Sequence, residues 1–214
     1  MINSMIDGLK WLSTNIQIKT VLDVGASNGC WSQECLKFYP ESNYVLFEPQ
    51  PVHSKSLDLF SKNKNISVIK KAVGLLEGHT FFNASDPFGG SLSQKNSENT
   101  IKVEVTTIDN SMEILKLESP YLIKLDTHGY EKSILDGAVN TLEKTYALII
   151  ECYNYKISDE SLLFFELCEY LYHKKFRPIY IVDVLNREYD NSLWQMDMFF
   201  IKSDWKGFEY NSYK

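Results

Sequence analysis

Three acids and a histidine stand where apolar runs end, and they carry the candidate chemistry of this chain. Asp126 closes the run Tyr121-Leu122-Ile123-Lys124-Leu125, His128 follows two residues later, Glu48 closes Tyr44-Val45-Leu46-Phe47, and Glu151 closes Ala147-Leu148-Ile149-Ile150. A histidine titrates close to neutrality, so His128 is the candidate general base that takes a proton from an attacking hydroxyl. Asp126 beside it can orient the base or the acceptor. Each has a plainer alternative, a helix N-cap for Asp126 and an exposed loop residue for His128. Asp126 and Glu151 end neighbouring strands and suit a hard cation, but nothing in the spacing fixes a third ligand, so no metal is assigned. Lys124 inside a central strand calls for an acidic partner. Glu131 falls in the first turn of the next helix, where a carboxylate suits the dipole. Tyr153-Asn154-Tyr155 mixes two aromatic rings with an amide, which suits stacking on a sugar ring and equally suits a core. His53, His79 and His173 have no comparable setting and read as surface or helix residues.

These groups need a frame. Val21-Leu22-Asp23-Val24 reads as a buried parallel strand, and Gly25-Ala26-Ser27-Asn28-Gly29 as the tight turn that leads into a helix. Glycine at 25 and 29 permits close backbone approach to a ligand and positive φ. Asp23, near the strand's end, is placed to meet a cationic amine. Glu48 lies nineteen residues beyond Gly29, where doubly wound sheets put the acid that accepts hydrogen bonds from ribose. The dinucleotide fingerprint would need glycine at positions 27 and 30, which are Ser27 and Cys30. The spacing D-x-G-x-small-x-G fits S-adenosylmethionine instead, so that cofactor is expected and a nicotinamide dinucleotide is not.

Strands are expected at 20–25, 44–48, 66–69, 121–126 and 147–151, with helices over 30–39, 52–62, 130–143 and 159–175. This βα alternation predicts a parallel α/β sheet. Segments 177–184 and 196–202 are separated by a short polar stretch, which predicts an antiparallel pair. The fold class is a single-domain, Rossmann-like class I methyltransferase arrangement. It has a seven-stranded, mostly parallel sheet, the last strand antiparallel, and helices on both faces. Two further strands, 79–82 and 101–105, flank a polar, glycine-bearing loop at 85–100 that reads as a mobile lid and places Ser91 toward substrate. Residues 1–17 read as an amphipathic helix with Ile2, Met5, Ile6, Leu9 and Leu12 on one face, packed on the catalytic domain of 18–214.

The 214 residues suffice for one well-packed domain, and 44% hydrophobic with 23% charged residues is ordinary for a globular protein. The net charge of −6, without a basic cluster, argues against a nucleic-acid partner, which needs concentrated Lys and Arg. The four cysteines form no C-x-x-C pair and read as free thiols of a reducing compartment. Neither a secretory leader nor a membrane-spanning run of about 18 apolar residues is present, so a cytoplasmic protein is expected. The oligomeric state stays open.

Taken in order, several segments resemble the FkbM family of S-adenosylmethionine-dependent methyltransferases. They are Val21 to Gly29, Phe47-Glu48-Pro49-Gln50-Pro51, Lys71-Ala72-Val73-Gly74, Thr106-Thr107-Ile108-Asp109, Ile123-Lys124-Leu125-Asp126-Thr127-His128-Gly129-Tyr130-Glu131, Leu135-Asp136-Gly137-Ala138 and Ile149-Ile150-Glu151. The resemblance implies a cofactor pocket at the carboxyl edge of the strands. Asp23, Gly25, Ala26, Ser27, Asn28 and Gly29 would serve its methionine and ribose end, and Glu48 and Gln50 the ribose. Ala72 and Val73 would bracket the adenine, and Asp126 would stand beside the transferred methyl. It further implies O-methylation of a sugar hydroxyl in a glycan or glycosylated metabolite, with a polyketide or peptide product as the other enzymatic reading. A non-catalytic S-adenosylmethionine-binding module is the reading from another class. Glu151, Tyr153, Tyr155 and Ser91 are the candidate acceptor contacts. Members often carry an acid at the position of His128, which marks it as a substrate-facing, variable position.

Overall fold

A computed structural model describes residues 2–93 and 97–213. In chain order the elements are α1 (Met5–Asn15), β1 (Thr20–Val24), α2 (Cys30–Cys35), β2 (Asn43–Phe47), α3 (Ser54–Phe60), β3 (Ile66–Ile69), β4 (Ala72–Val73), β5 (Gly78–Asn83), β6 (Ser91–Ser93) and β7 (Thr100–Thr106). They continue with α4 (Ile108–Leu115), β8 (Tyr121–Leu125), α5 (Glu131–Asp136), α6 (Val139–Glu143), β9 (Thr145–Tyr153), α7 (Phe164–His173), β10 (Phe176–Asn186) and β11 (Leu193–Lys202).

The main sheet has seven strands in the order β10-β11-β9-β8-β1-β2-β3. β11 inserts antiparallel between β9 and β10, and the other neighbours pair parallel. This is the predicted arrangement. All five β1 residues are buried, as the near-continuous apolar runs of a covered parallel sheet require. Helices α1, α2 and α3 supply Leu9, Leu12, Cys35 and Leu57 to the core on one face. Helices α4 to α7 supply Ile108, Ile134, Leu142 and Leu171 to the other.

Register places the chemistry. Val24 pairs with Phe47 on one side and Leu125 on the other, so Gly25, Glu48 and Asp126 emerge together at the carboxyl edge. Leu125 pairs with Ile150, which sets Glu151 beside Asp126, and Glu151 in turn faces Asp197 of β11. Asp23 pairs with Lys124. Side chains two residues apart on a strand share a face, so Lys124 and Asp126 lie on the same side.

Several expectations are corrected. The predicted helix over 130–143 is two helices, α5 and α6. A Cβ on Gly137 would fall 2.3 Å from the Gly74 carbonyl oxygen, so the chain closes against β4 there and restarts. Asp109 of α4 caps the new start, accepting from the Asn140 and Thr141 amides at 2.9 and 2.8 Å. The terminal helix begins at Phe164, not 159, because Ser161 ties residues 157–161 into a loop with its hydroxyl. The α1 segment packs Ile2, Met5, Leu9 and Leu12 of the expected face on the core, and only Ile6 departs from it. Gly8, Leu9 and Leu12 are buried while Ile6 is 52% exposed, and Gly8 admits the Phe199 ring where a Cβ would be 2.4 Å away. Finally, the segment read as a loop at 85–100 contains β6. Residues 94–96 of that segment lie outside the described residues. β6 joins a second, four-stranded sheet of order β4-β7-β5-β6, with a small core of Ala72, Phe82 and Val103.

Candidate functional site

The ends of β1, β2, β8 and β9 open into one pocket, roofed by residues 84–92. Its empty space, open mouth included, is about 910 Å³. Glycine at 25 is imposed by the crossing of two strand ends: φ is +79°, and a Cβ would sit 2.0 Å from the Asp126 carbonyl oxygen. That approach brings Asp126 against the turn after β1.

Glu48 anchors one end. It is buried, and its two oxygens accept the Ser27 and Gln50 amides at 2.8 Å each. Burial raises its pKa, and these two amides oppose the rise. A carboxylate offers about four lone-pair sites, so two remain for hydroxyl donors of a ligand. Ala72 and Val73 line the same end. The set of Gly25, Ser27, Glu48, Ala72 and Val73 fits an adenosine: an acid for the ribose diol and small apolar side chains for the base.

At the other end stand Asp126, His128 and Glu151. His128 adopts φ +52°, and its Nδ1 donates to the Gly90 carbonyl at 3.1 Å. A carbonyl only accepts, so Nδ1 carries a proton, and Nε2 faces Asp126 Oδ1 at 3.7 Å and Glu151 Oε2 at 3.8 Å. Asp126 is not the cap of α5. The N-cap position, Tyr130, has no side-chain cap bond, and Glu131 ties the preceding loop instead, its buried Oε1 accepting from the Gly129 amide and the Thr127 hydroxyl at 3.0 and 3.1 Å, with its pKa raised by burial. Asp126 is thereby left to the pocket. Burial alone would raise its pKa, but Lys124 and His128 outweigh that and hold it low. Lys124 is buried, with Nζ 3.1 Å from Asp126 and 3.4 Å from Asp23. Burial pulls its pKa down, while the two acids more than restore it. Glu151 is pushed up to about 8 by burial and by Asp126.

Of the sequence-predicted residues, Gly25, Ser27, Glu48, Gln50, Ala72, Val73, Ser91, Asp126, His128 and Glu151 line this pocket. The others do not. Asp23 is fully buried, accepting from the Ser32 hydroxyl at 2.7 Å and facing Lys124, so it buttresses the site from behind. Ala26 packs into the core, and Asn28 caps α2 through the Cys30 amide at 3.1 Å. Gly29 serves packing, because a Cβ there would meet the Phe60 ring at 2.4 Å. The Tyr153 hydroxyl donates to Glu151. Tyr155 is held between Trp194, stacked at 5.3 Å, and the Arg187 guanidinium at 4.4 Å.

The roof residues were not foreseen. His53 is buried rather than on the surface: its Nε2 donates to the Pro87 carbonyl at 2.6 Å and lies 3.4 Å from the Ser27 hydroxyl. The Gln50 amide, expected beside the ribose, donates to the Ala84 and Asp86 carbonyls at 3.4 and 3.1 Å. The Tyr130 hydroxyl donates to the Leu92 carbonyl at 2.9 Å. The contacts to the roof carbonyls span 34 to 38 residues of sequence, and of their donors Gln50 and Tyr130 sit in segments singled out for other reasons.

The chain matches the methyltransferase FkbM domain over residues 23–178, well over half its length. The chain belongs to the FkbM methyltransferase family. It is a methyltransferase whose methyl donor is S-adenosylmethionine, and the pocket just described fits that cofactor. The fold of this FkbM methyltransferase recurs in solved structures. An uncharacterized protein from Listeria monocytogenes superposes with TM-score 0.53 at 11% identity, covering 95% of this chain and 69% of that one. The 1,6-didemethyltoxoflavin-N1-methyltransferase of Burkholderia thailandensis, solved with S-adenosylhomocysteine, gives 0.51 at 12%, covering 93% and 78%. A putative tRNA (m1A22) methyltransferase of Streptococcus pneumoniae gives 0.50 at 12%, covering 94% and 73%. At such identities the likeness shows the fold alone. No curated protein matches the FkbM methyltransferase. Among its described residues no helix is long and apolar enough to cross a membrane.

Proposed function

We propose that this protein transfers a methyl group to a hydroxyl of a sugar in a glycan or glycosylated metabolite, with His128 as the general base. The observation that carries this reading is the orientation of His128. With Nδ1–H committed to Gly90, its Nε2 faces the pocket between two carboxyl groups. S-adenosylmethionine supplies the electrophilic methyl group. Bound in this pocket, the donor would give its methyl to the acceptor oxygen and keep the electrons of the broken sulfur–carbon bond, and His128 Nε2 would take the hydroxyl proton. Asp126, held ionised by Lys124, stabilises the imidazolium that results, as carboxylates do beside catalytic histidines. Glu48 holds the ribose. Residues 84–92 act as a lid that excludes water and opens to admit the acceptor.

A polyketide or peptide hydroxyl suits the same chemistry. The net charge of −6 favours an uncharged acceptor over a nucleic acid, and four free cysteines fit a cytoplasmic setting. The test is mass spectrometry of glycans and small glycosylated metabolites from a deletion strain. One species should lose a methyl ether and regain it from the purified enzyme with S-adenosylmethionine. On that acceptor His128→Ala should lower kcat by about 10²-fold or more while cofactor affinity holds. Wild-type turnover in the variant would remove His128 from the reaction.

A further inference from the structure

The three side chains at the acceptor end also have the make-up of a cation site. Asp126, His128 and Glu151 each offer one donor atom, and these atoms all lie within 4.8 Å of one another. Donors bound to one ion at ~2.0–2.2 Å stand no more than ~4.4 Å apart. His128 Nε2 is already inside that limit from both partners, 3.7 Å from Asp126 and 3.8 Å from Glu151. Small side-chain rotations therefore bring all three onto one centre. The sequence left the third ligand of the Asp126–Glu151 pair open, and the fold supplies it.

Two other observations point to a cation there. The first is orientation. Nε2 faces a carboxylate oxygen of each acid, and a proton or a metal ion between them satisfies all three donors. A backbone carbonyl on the remote ring nitrogen, here Gly90, is the support that metal-bound histidines commonly have. Glu151 is aimed from behind in the same way, by the Gln195 amide at 2.6 Å on Oε1 and the Tyr153 hydroxyl on Oε2. The second is charge. Asp126, Glu151 and Asp197 crowd this edge, and Lys124 beside them is shared with Asp23.

We propose that Asp126, His128 and Glu151 bind a divalent first-row transition ion, which competes with the proton that His128 takes up in methyl transfer. One imidazole nitrogen with two carboxylates suits the series from Mn²⁺ to Zn²⁺, whereas Mg²⁺ and Ca²⁺ prefer oxygen alone. Binding stands on the geometry of the three donors. Its effect on turnover rests on the reading of His128 as the base, because an ion on Nε2 occupies the lone pair that accepts the proton.

The test titrates the chelator-treated, full-length protein with Co²⁺, followed by visible absorption and calorimetry. Wild type should bind one ion with ligand-field bands. Glu151→Gln, Asp126→Asn and His128→Ala should each weaken binding by about tenfold or more. S-adenosylhomocysteine affinity, measured in parallel, shows that each variant is folded. No Co²⁺ binding by cofactor-competent protein, or undiminished binding in all three variants, would overturn the site. Methyl transfer is then measured with and without Zn²⁺, and inhibition relieved by chelator is the expected result. Activation by Zn²⁺ would overturn the competition and the base assignment together, while the Co²⁺ result continues to judge the site by itself.

Discussion

At the scale of single residues, the pocket divides between groups that touch a ligand and groups that hold those in place. Glu48 belongs to the first kind. Its carboxylate is buried at the end of β2 with two backbone amides and spare acceptor capacity. Glu48→Ala leaves the ribose hydroxyls without their acceptor and should weaken S-adenosylhomocysteine binding by about 1–3 kcal/mol, roughly 5- to 150-fold. Isothermal calorimetry on the folded variant checks this, and an unchanged dissociation constant would take Glu48 out of the ribose site. Asp23 and Lys124 belong to the second kind. Both were legible in part: an acid near a strand end and a lysine in a central strand signal a buried pair. Sequence alone made Asp23 a ligand contact, whereas its register opposite Lys124 makes it the counter-ion behind the site.

At the scale of elements, the decisive feature is the roof at 84–92. Four side chains from two strand-end loops, Gln50 and His53 after β2 and His128 and Tyr130 after β8, donate to its carbonyls. A polar, glycine-bearing loop could be recognised in the sequence, and so could its place between β5 and β7. Its fastening could not, since each clasp joins segments more than thirty residues apart and depends on which carbonyl the loop presents. Tyr130→Phe removes one clasp and keeps the ring. It should cost about 0.5–1.5 kcal/mol locally, appearing as faster hydrogen exchange at 84–92 and a several-fold higher KM for the acceptor. Cofactor affinity should barely change. Exchange and KM both at wild-type values would show that this bond does not hold the roof down.

At the scale of the whole molecule, cofactor binding and fold stability are linked, because the pocket joins β1, β2, β8 and β9 with the second sheet. At 100 times its dissociation constant, S-adenosylhomocysteine should add about 2.7 kcal/mol of stability. For a chain of this size that raises Tm by about 5–10 °C. Differential scanning calorimetry checks this, and NAD at the same concentration should leave Tm where it is. An equal rise with NAD would contradict the glycine spacing on which the choice of cofactor was argued. That spacing, the alternation of apolar runs with amphipathic ones, and the acids that end those runs are local properties. The sequence by itself therefore determined the sheet, its antiparallel last strand, the cofactor class, and the positions of Glu48, Asp126 and Glu151. Long-range packing decided the rest. A close contact with Gly74 split the helix at Gly137, Gly8 of α1 received the Phe199 ring, and Gly29 packed against Phe60. The Gly90 carbonyl selected the proton-bearing nitrogen of His128. Each of these outcomes depends on an atom distant in sequence that only the folded chain brings near, so no local pattern of residue types encodes it.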